Sequence, residues 1–346
     1  MSRKSLLNLL KIIISLGVIF LILRGIDLRR LRDILISANP IWLAVAEGLV
    51  FAGVVIRARR WQILLTAFNL RLPLKELTMI YFIGFAFNNV LPSGVGGDAV
   101  RMLELNQHTN RGSDAVTSVI VERFLGLYGA LVLAFITLIF AWHPPTGSTT
   151  QAIPAEVALV SVLIFIALTA IGFMLINKPL YQAIRRVGFI RKMTDIKFVS
   201  HLFASFQDYS LPVLWRSFVV GLLFNVTLIG TNVAIGLALG IDISPVYYLI
   251  FVPFVALALM IPLTFAGFGA RESTYIYLFA QVGVLKETAL ALSLLIYVLG
   301  NLSPGLVGGA IYLWRSARGF RSSPASQLAS EPANQQISES ANQPDL

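Results

Sequence analysis

The sequence contains no cysteine. Disulfides, thiol nucleophiles and cysteine-ligated metals are therefore excluded. Charge is also scarce: Asp, Glu, Lys and Arg make up 13% of the 346 residues, about half the share usual in soluble domains. Acidic residues are the scarcer kind, 17 against 27 basic ones, which leaves a formal net charge of +10. The only histidines, His108, His143 and His201, are far apart in the chain, so no metal cluster follows from them. No GxxxxGK[ST] motif occurs, and the glycines at 94–97 neither form GxGxxG nor follow a βαβ pattern. No pair of carboxylates suited to a sugar-nucleotide metal site stands out, and no cofactor is expected.

What is abundant is apolar side chains, 57% of the chain, with a mean hydropathy of +0.79. That composition excludes a disordered protein. It argues against a soluble enzyme and against a nucleic-acid binder, whose basic residues lie on a polar surface. It fits an all-α, polytopic membrane protein whose few charges gather in the connections.

Crossing ~30 Å of hydrocarbon takes about 20 helical residues. Segments 5–23, 40–56, 120–142, 155–176, 217–240 and 288–313 meet or approach that length, giving six predicted crossings. Met1 to Lys4 resemble the front of a signal peptide, but no small-residue cleavage site follows, so 5–23 reads as a retained helix. Three further runs, 77–91, 245–262 and 272–285, are short, and the total is eight or nine hydrophobic segments. The polar stretch 316–346 reads as a disordered cytoplasmic tail behind a membrane domain spanning 1–315.

Basic residues mark the cytoplasmic side. The connection 177–216 carries Lys178, Arg185, Arg186, Arg191, Lys192, Lys197 and Arg216, whereas 143–154 and 241–244 carry no Lys or Arg. Arg315, Arg318 and Arg321 place the C-terminus inside with the N-terminus, in the inner membrane of the cell. Segment 24–39 then falls outside despite Arg24, Arg29, Arg30 and Arg32. Parity makes 77–112 enter and leave from the cytoplasm and 245–286 from the exterior. Both are expected to be re-entrant hairpins, opposed like an inverted repeat. Within 177–216, Ile196, Val199, Phe203 and Phe206 recur at helical spacing, as in an amphipathic helix on the membrane face or an ordinary helix packed on the bundle. The excess charge is assigned to anchoring by 177–216, by the connection 57–76 and by the end of the last helix.

The two short regions break alike. The first reads Leu91-Pro92-Ser93-Gly94-Val95-Gly96-Gly97-Asp98-Ala99-Val100-Arg101, and the second Ile261-Pro262-Leu263-Thr264-Phe265-Ala266-Gly267-Phe268-Gly269-Ala270-Arg271-Glu272. In each, an apolar run stops at Pro, glycines follow, and an Arg stands nine positions after the Pro. Pro and Gly end a helix and free backbone N–H and C=O groups. A half-helix beginning after the break offers its N-terminal N–H groups to an anion. Arg101 and Arg271 add guanidinium forks suited to phosphate, with Asp98 and Glu272 as neighbouring counter-charges. Transporters with inverted repeats place such broken helices at the substrate site. The plainer alternative is a pair of kinks, each with an Arg–acid pair that binds nothing.

Together with Asn88 to Arg101 and Pro262 to Glu272, the pairs Arg60-Trp61 and Glu122-Arg123 make the sequence resemble the lysylphosphatidylglycerol synthase transmembrane family, also called the flippase-like domain family. The resemblance covers about residues 5–315. In the multiple peptide resistance factors, the best-known members of this family, the region resembles a lipid translocator moving aminoacylated phosphatidylglycerol to the outer leaflet. A separate cytosolic domain there makes the lipid from aminoacyl-tRNA. No such domain follows Arg315 in this sequence, so aminoacyl transfer is not expected. The resemblance implies translocation or binding of an anionic phospholipid or a polyprenyl-phosphate lipid. The candidate binding residues are Asn89, Pro92, Gly97, Asp98 and Arg101 in the first arm, Glu122 and Arg123 at the start of the next helix, and Pro262, Gly267, Gly269, Arg271 and Glu272 in the second arm. The alternatives are a membrane transferase acting on a lipid-linked sugar or aminoacyl group, and a non-catalytic membrane partner of a separate synthase.

Four other features have structural readings. Glu47, about 10 Å deep in its segment, is expected to bond to a neighbouring helix, with proton coupling as the alternative. Lys11 is expected to snorkel to the inner headgroups, a direct pair with Glu47 requiring such snorkelling. Asn225, Thr227, Thr231 and Asn232 suit interhelical hydrogen bonds, or the lining of a headgroup path. Gly300, Asn301, Ser303 and Pro304 suit a kink in the last helix.

Overall fold

A computed structural model describes residues 15–90, 96–109, 111–141, 155–177, 179, 206–207, 209–260 and 267–318. Among these residues every regular element is helical: α1 (Ser15–Arg24), α2 (Leu28–Ile36), α3 (Pro40–Leu65), α4 (Leu74–Val90), α5 (Gly96–Thr109), α6 (Gly112–Ala141), α7 (Ala155–Ile176), α8 (Leu211–Ala238), α9 (Pro245–Met260), α10 (Ala270–Ala280), α11 (Lys286–Tyr297) and α12 (Ser303–Ala317). A π-helical turn, Val298–Leu302, joins α11 to α12 in one continuous rod. Gly300 lies inside that turn, so the irregularity expected in the last helix takes the form of a widened turn, a kind of site at which helices kink.

Among the described residues, five helices are long and apolar enough to cross a membrane: α3, α6, α7, α8 and the α11–α12 rod. The sixth predicted crossing is represented by α1, while residues 1–14, Lys11 among them, lie outside the described residues. The apolar surface agrees with a lipid surrounding. Helix α7 exposes Leu159, Leu163, Ile166 and Phe173, and α8 exposes Trp215, Leu223 and Val226. An apolar face of that extent is unsustainable in water.

Helix starts follow local chemistry. The Asp27 carboxylate accepts from the Arg29 and Arg30 amides at 2.9 and 3.2 Å and starts α2. Asn39 accepts from the Ile41 amide at 2.9 Å and starts α3, with Pro40 next, where its missing N–H costs nothing. Helices α3 and α8 form the central antiparallel pair. The Asn39 amide donates to the Ala238 carbonyl at 2.8 Å at one end, and Gly53 lets Thr227 approach midway.

The remaining contacts sort by the two ends of this pair. At the basic end, Arg315 pairs with Glu76 at the start of α4 and stands 3.9 Å from Glu104 near the end of α5. Arg111 donates to the Phe68 carbonyl at 2.8 Å. The start of α4 and the end of α5 therefore lie together at this end. At the opposite end, Ile241, Tyr247, Tyr248, Phe279 and Val282 share one core with Ile235, so the start of α9 and the end of α10 lie together there. Segment 24–39 lies at that same end: the Asp27 amide reaches Glu287 at the start of α11, and Ile26 and Leu31 pack on Leu290 and Ala291.

Two expected boundaries are corrected. Helix α3 runs to Leu65, so Arg57, Arg59 and Arg60 are helical and do not belong to a connection, the helix continuing past the apolar run where Arg60 meets Glu122 inside the bundle. Helix α6 begins at Gly112, which puts Glu122 about 15 Å along the helix axis from its start. The proposed amphipathic helix at 196–206 lies outside the described residues except for Phe206, which is buried against Phe124 with a ring separation of 5.1 Å. Residues 319–346 also lie outside them.

Candidate functional site

Two polar constructions occupy the interior. The first is an ion network joining α3, α4, α5 and α6. The Glu122 carboxylate accepts from Arg60 at 2.8 Å, from Arg101 at 2.6 Å and from the Tyr81 hydroxyl. Asp98 accepts from Arg101 at 3.1 Å and from Arg123. The Arg101 guanidinium carbon lies 3.7 Å from the Tyr81 ring centre and 4.4 Å from that of Trp61. Trp61 is fixed in turn by its indole N–H on Ser118 at 2.9 Å. The side chains of Arg60, Arg101 and Glu122 are 2–4% exposed.

Small residues make the room this network needs. A Cβ on Gly126 of α6 would stand 2.9 Å from an Arg60 nitrogen, and one on Gly221 of α8 would stand 3.2 Å from it. Gly97 is tighter still: a Cβ there would lie 2.2 Å from the Gly84 carbonyl oxygen. Only glycine permits α4 and α5 to meet so closely. The Gly97 amide donates to the Asn88 side chain at 2.7 Å, so the end of α4 serves as acceptor for the start of α5.

The second construction is a cavity of about 370 Å³ where the ends of α4 and α9 and the start of α10 meet. Asn88 and Asn89 reach it from α4, Arg271 and Tyr275 from α10, Asn232 from α8, and Tyr297 and Asn301 from the α11–α12 rod. Asn89 donates to the Asn301 carbonyl at 2.9 Å and accepts from the Tyr297 hydroxyl at 3.3 Å. The Tyr275 hydroxyl donates to Asn232 at 2.6 Å.

Arg271 borders this cavity with its guanidinium 4.6 Å from the Tyr297 ring centre. Its Nε donates to Ser293 at 3.2 Å, and one terminal nitrogen pairs with Glu272. The other oxygen of Glu272 accepts from the Gly269 amide at 2.7 Å. Gly267 and Gly269 have φ of 79° and 87°, values that let the chain turn sharply into α10.

The structure thus separates the two motif arginines. Arg271, Asn89 and Gly267 line the cavity, whereas Arg101, Asp98 and Glu122 sit in the ion network and do not. Arg123 lines a neighbouring cavity of about 180 Å³. Pro92 and Pro262 lie outside the described residues. Glu47 accepts from Ser303 on the rod, the interhelical bond expected of it. Asn225 donates to the Gly126 carbonyl at 3.2 Å, again between helices. Sequence reasoning missed Arg57, Tyr81, Tyr275 and Tyr297. The spacing of Arg57 and Arg60 was a usable signal, since positions three apart share a helix face.

Comparison with known proteins agrees with this architecture. A UPF0104 membrane protein of Pyrococcus horikoshii is 24% identical over 324 residues, covering 88% of this chain and 96% of the relative. UPF0104 membrane proteins of Methanothermobacter thermautotrophicus and Methanocaldococcus jannaschii are each 25% identical, over 75% and 86% of this chain and 81% and 91% of theirs. The family described as the lysylphosphatidylglycerol synthase TM region matches residues 8–308, which contain the short helices α4, α5, α9 and α10, the ion network and the cavity. The chain therefore belongs to the lysylphosphatidylglycerol synthase TM-region family.

Proposed function

We propose that this protein binds a lipid with a phosphate-bearing headgroup, an anionic phospholipid or a polyprenyl phosphate, and carries it between leaflets of the inner membrane. In this reading α4–α5 and α9–α10 are re-entrant hairpins, entering from the cytoplasm and from the exterior respectively, with both chain termini cytoplasmic. The observation that carries the proposal is Arg271 bordering a cavity at the meeting point of the hairpins. A guanidinium at membrane depth is costly and marks a substrate path. Short helices that stop inside the bundle are acceptable only where they are buried or line a cavity.

The lining suits a phosphate. Arg271 supplies a cation whose terminal nitrogens are only partly used by Glu272. Asn88, Asn89, Asn232 and Tyr297 supply neutral donors and acceptors, while Val252, Val255 and Leu259 offer an apolar wall to acyl or prenyl chains. Arg101 is assigned to the frame that sets the angle of the first hairpin, not to the ligand. A separately encoded synthase remains compatible as a supplier of the lipid.

The test is reconstitution in liposomes with fluorescent phosphatidylglycerol, reading its exposure to a membrane-impermeant quencher. Arg271→Gln is expected to slow translocation at least about tenfold, the loss that follows from removing one charge-assisted hydrogen bond. Chromatography of the extracted lipids is expected to show no new covalent product. Unchanged translocation in Arg271→Gln would sink the proposed role of the cavity, and a new lipid product would favour a transferase.

A further inference from the structure

We infer that Arg57 forms a second anion-binding station, next to the Arg271 cavity, for the same class of phosphate-bearing ligand. The inference rests on the translocation reading but uses a different part of the molecule. A cavity of about 310 Å³ is lined by Arg57 together with Thr227, Thr231, Asn232 and Asn301. It shares Asn232, Asn301, Leu228 and Ile296 with the Arg271 cavity, so the two are neighbours across one wall.

Arg57 is bonded unlike the other interior arginines. Arg60, Arg101, Arg123, Arg271 and Arg315 all have a carboxylate within ion-pair distance. Among the described residues Arg57 has none; its buried Nε is without a hydrogen-bond partner there, as are those of Arg60 and Arg101, so the missing carboxylate is what sets Arg57 apart. Instead its guanidinium carbon lies 5.1, 5.6 and 5.2 Å from the ring centres of Tyr81, Phe85 and Phe224. Aromatic faces attract a cation without neutralising it. The cage therefore holds the group in place and leaves its charge to be met by something else.

The charge balance of the network says the same. Arg57 meets the network at Tyr81, whose ring faces both Arg57 and Arg101 and whose hydroxyl donates to Glu122; Arg60, Asp98 and Arg123 complete it. Among the described residues four guanidiniums face two carboxylates there, both of which already serve other arginines. Uncompensated positive charge at membrane depth requires a counter-anion. The surplus is displayed into cavities, through Arg57 and through the half-exposed Arg123. A phosphate oxyanion next to Arg57 would have the second N–H of the Asn232 amide as a further partner, and the hydroxyls of Thr227 and Thr231 once they turn from the Phe224 and Thr227 carbonyls to which they now donate. Movement of a headgroup from Arg271 to Arg57 would then pass Asn232 and Asn301, which border both cavities.

Native mass spectrometry of the whole chain with added phosphatidylglycerol tests this. Two bound lipids are expected for the wild type, one for Arg57→Gln, one for Arg271→Gln and none for the double variant. Two lipids retained by Arg57→Gln would overturn the second station and leave the Arg271 site standing. Two retained by Arg271→Gln, with one lost in Arg57→Gln, would overturn the Arg271 site instead. A measurement on a chain that keeps Arg57 guards against misfolding of the variant. The absence of native cysteine lets Thr227→Cys act as the sole thiol. Phosphatidylglycerol is expected to slow its alkylation at least about fivefold while diacylglycerol, lacking phosphate, does not. Equal protection by both lipids would overturn the role of phosphate. Protection by inorganic phosphate with none by phosphatidylglycerol would make this a free-anion site and overturn the lipid assignment.

Discussion

Replacement of Glu122 by glutamine is expected to destabilise the protein by about 3–5 kcal/mol, the loss typical when one partner of a buried ion pair is removed. Its carboxylate is the junction of the interior network, taking Arg60 and Arg101 on separate oxygens and the Tyr81 hydroxyl besides. Without that charge, Asp98 alone among the described residues would oppose Arg57, Arg60, Arg101 and Arg123. Glutamine preserves the shape of the side chain and loses the compensation, so Glu122→Gln isolates charge from packing. Thermal unfolding in detergent, followed by size-exclusion chromatography, measures it. Glu76→Gln is the comparison: Glu76 also pairs with an arginine, Arg315, but its side chain is 34% exposed. Its loss is expected to cost no more than about 1 kcal/mol. Equal stabilities of the two variants would refute the view that the network is a buried charge cluster.

The second large effect is expected from Gly97→Ala. The added methyl would stand 2.2 Å from the Gly84 carbonyl oxygen and 2.7 Å from the Asn88 side chain. Backbone cannot swing aside as a flexible side chain can, so α4 and α5 must separate. Overpacking of this kind costs about 1–3 kcal/mol. The functional loss should exceed the loss of stability, because Asn88 and Asn89 sit where α4 meets the cavity and would move with it. Gly309→Ala is the control. Nothing stands within 4 Å of a Cβ there, and alanine is the better helix former, so stability should be unchanged or slightly raised. A liposome translocation assay run beside the melting curves separates the two effects. Wild-type translocation in Gly97→Ala would show that the α4–α5 contact does not position the cavity.

Part of the interior is legible in the amino-acid sequence. The polar residues of α8 have the spacing of interhelical bonders, and Asn225 and Asn232 make such bonds. The paired Pro–Gly–Arg breaks mark the places where α4 gives way to α5 and α9 to α10. The roles of the two arginines are not legible in the same way. Symmetry of the motifs suggests that Arg101 and Arg271 share one site, but symmetry in a sequence carries no information on what stands opposite each residue. Glu122 comes from a different helix and captures Arg101, whereas Arg271 keeps one face on a cavity. Arg57 is hidden for a related reason. In a run with Arg59 and Arg60 it has the composition of an anchoring connection, and only the continuation of α3 to Leu65 turns it inward.

Hydropathy, proline and glycine placement and the distribution of basic residues are enough to determine an all-α membrane bundle, its long helices and the places where two shorter helix pairs are interrupted. Those properties are local, set by the length of an apolar run and by backbone conformations that only certain residues allow. The tertiary structure decided which charges neutralise one another and which are left over. That outcome depends on distances between residues tens or hundreds of positions apart, such as Arg60 and Glu122 or Asn89 and Asn301. The scarcity of acidic residues thereby gains a meaning beyond anchoring. Inside the bundle, among the described residues, two carboxylates face four guanidiniums, and Arg57, without a carboxylate partner there, borders a cavity.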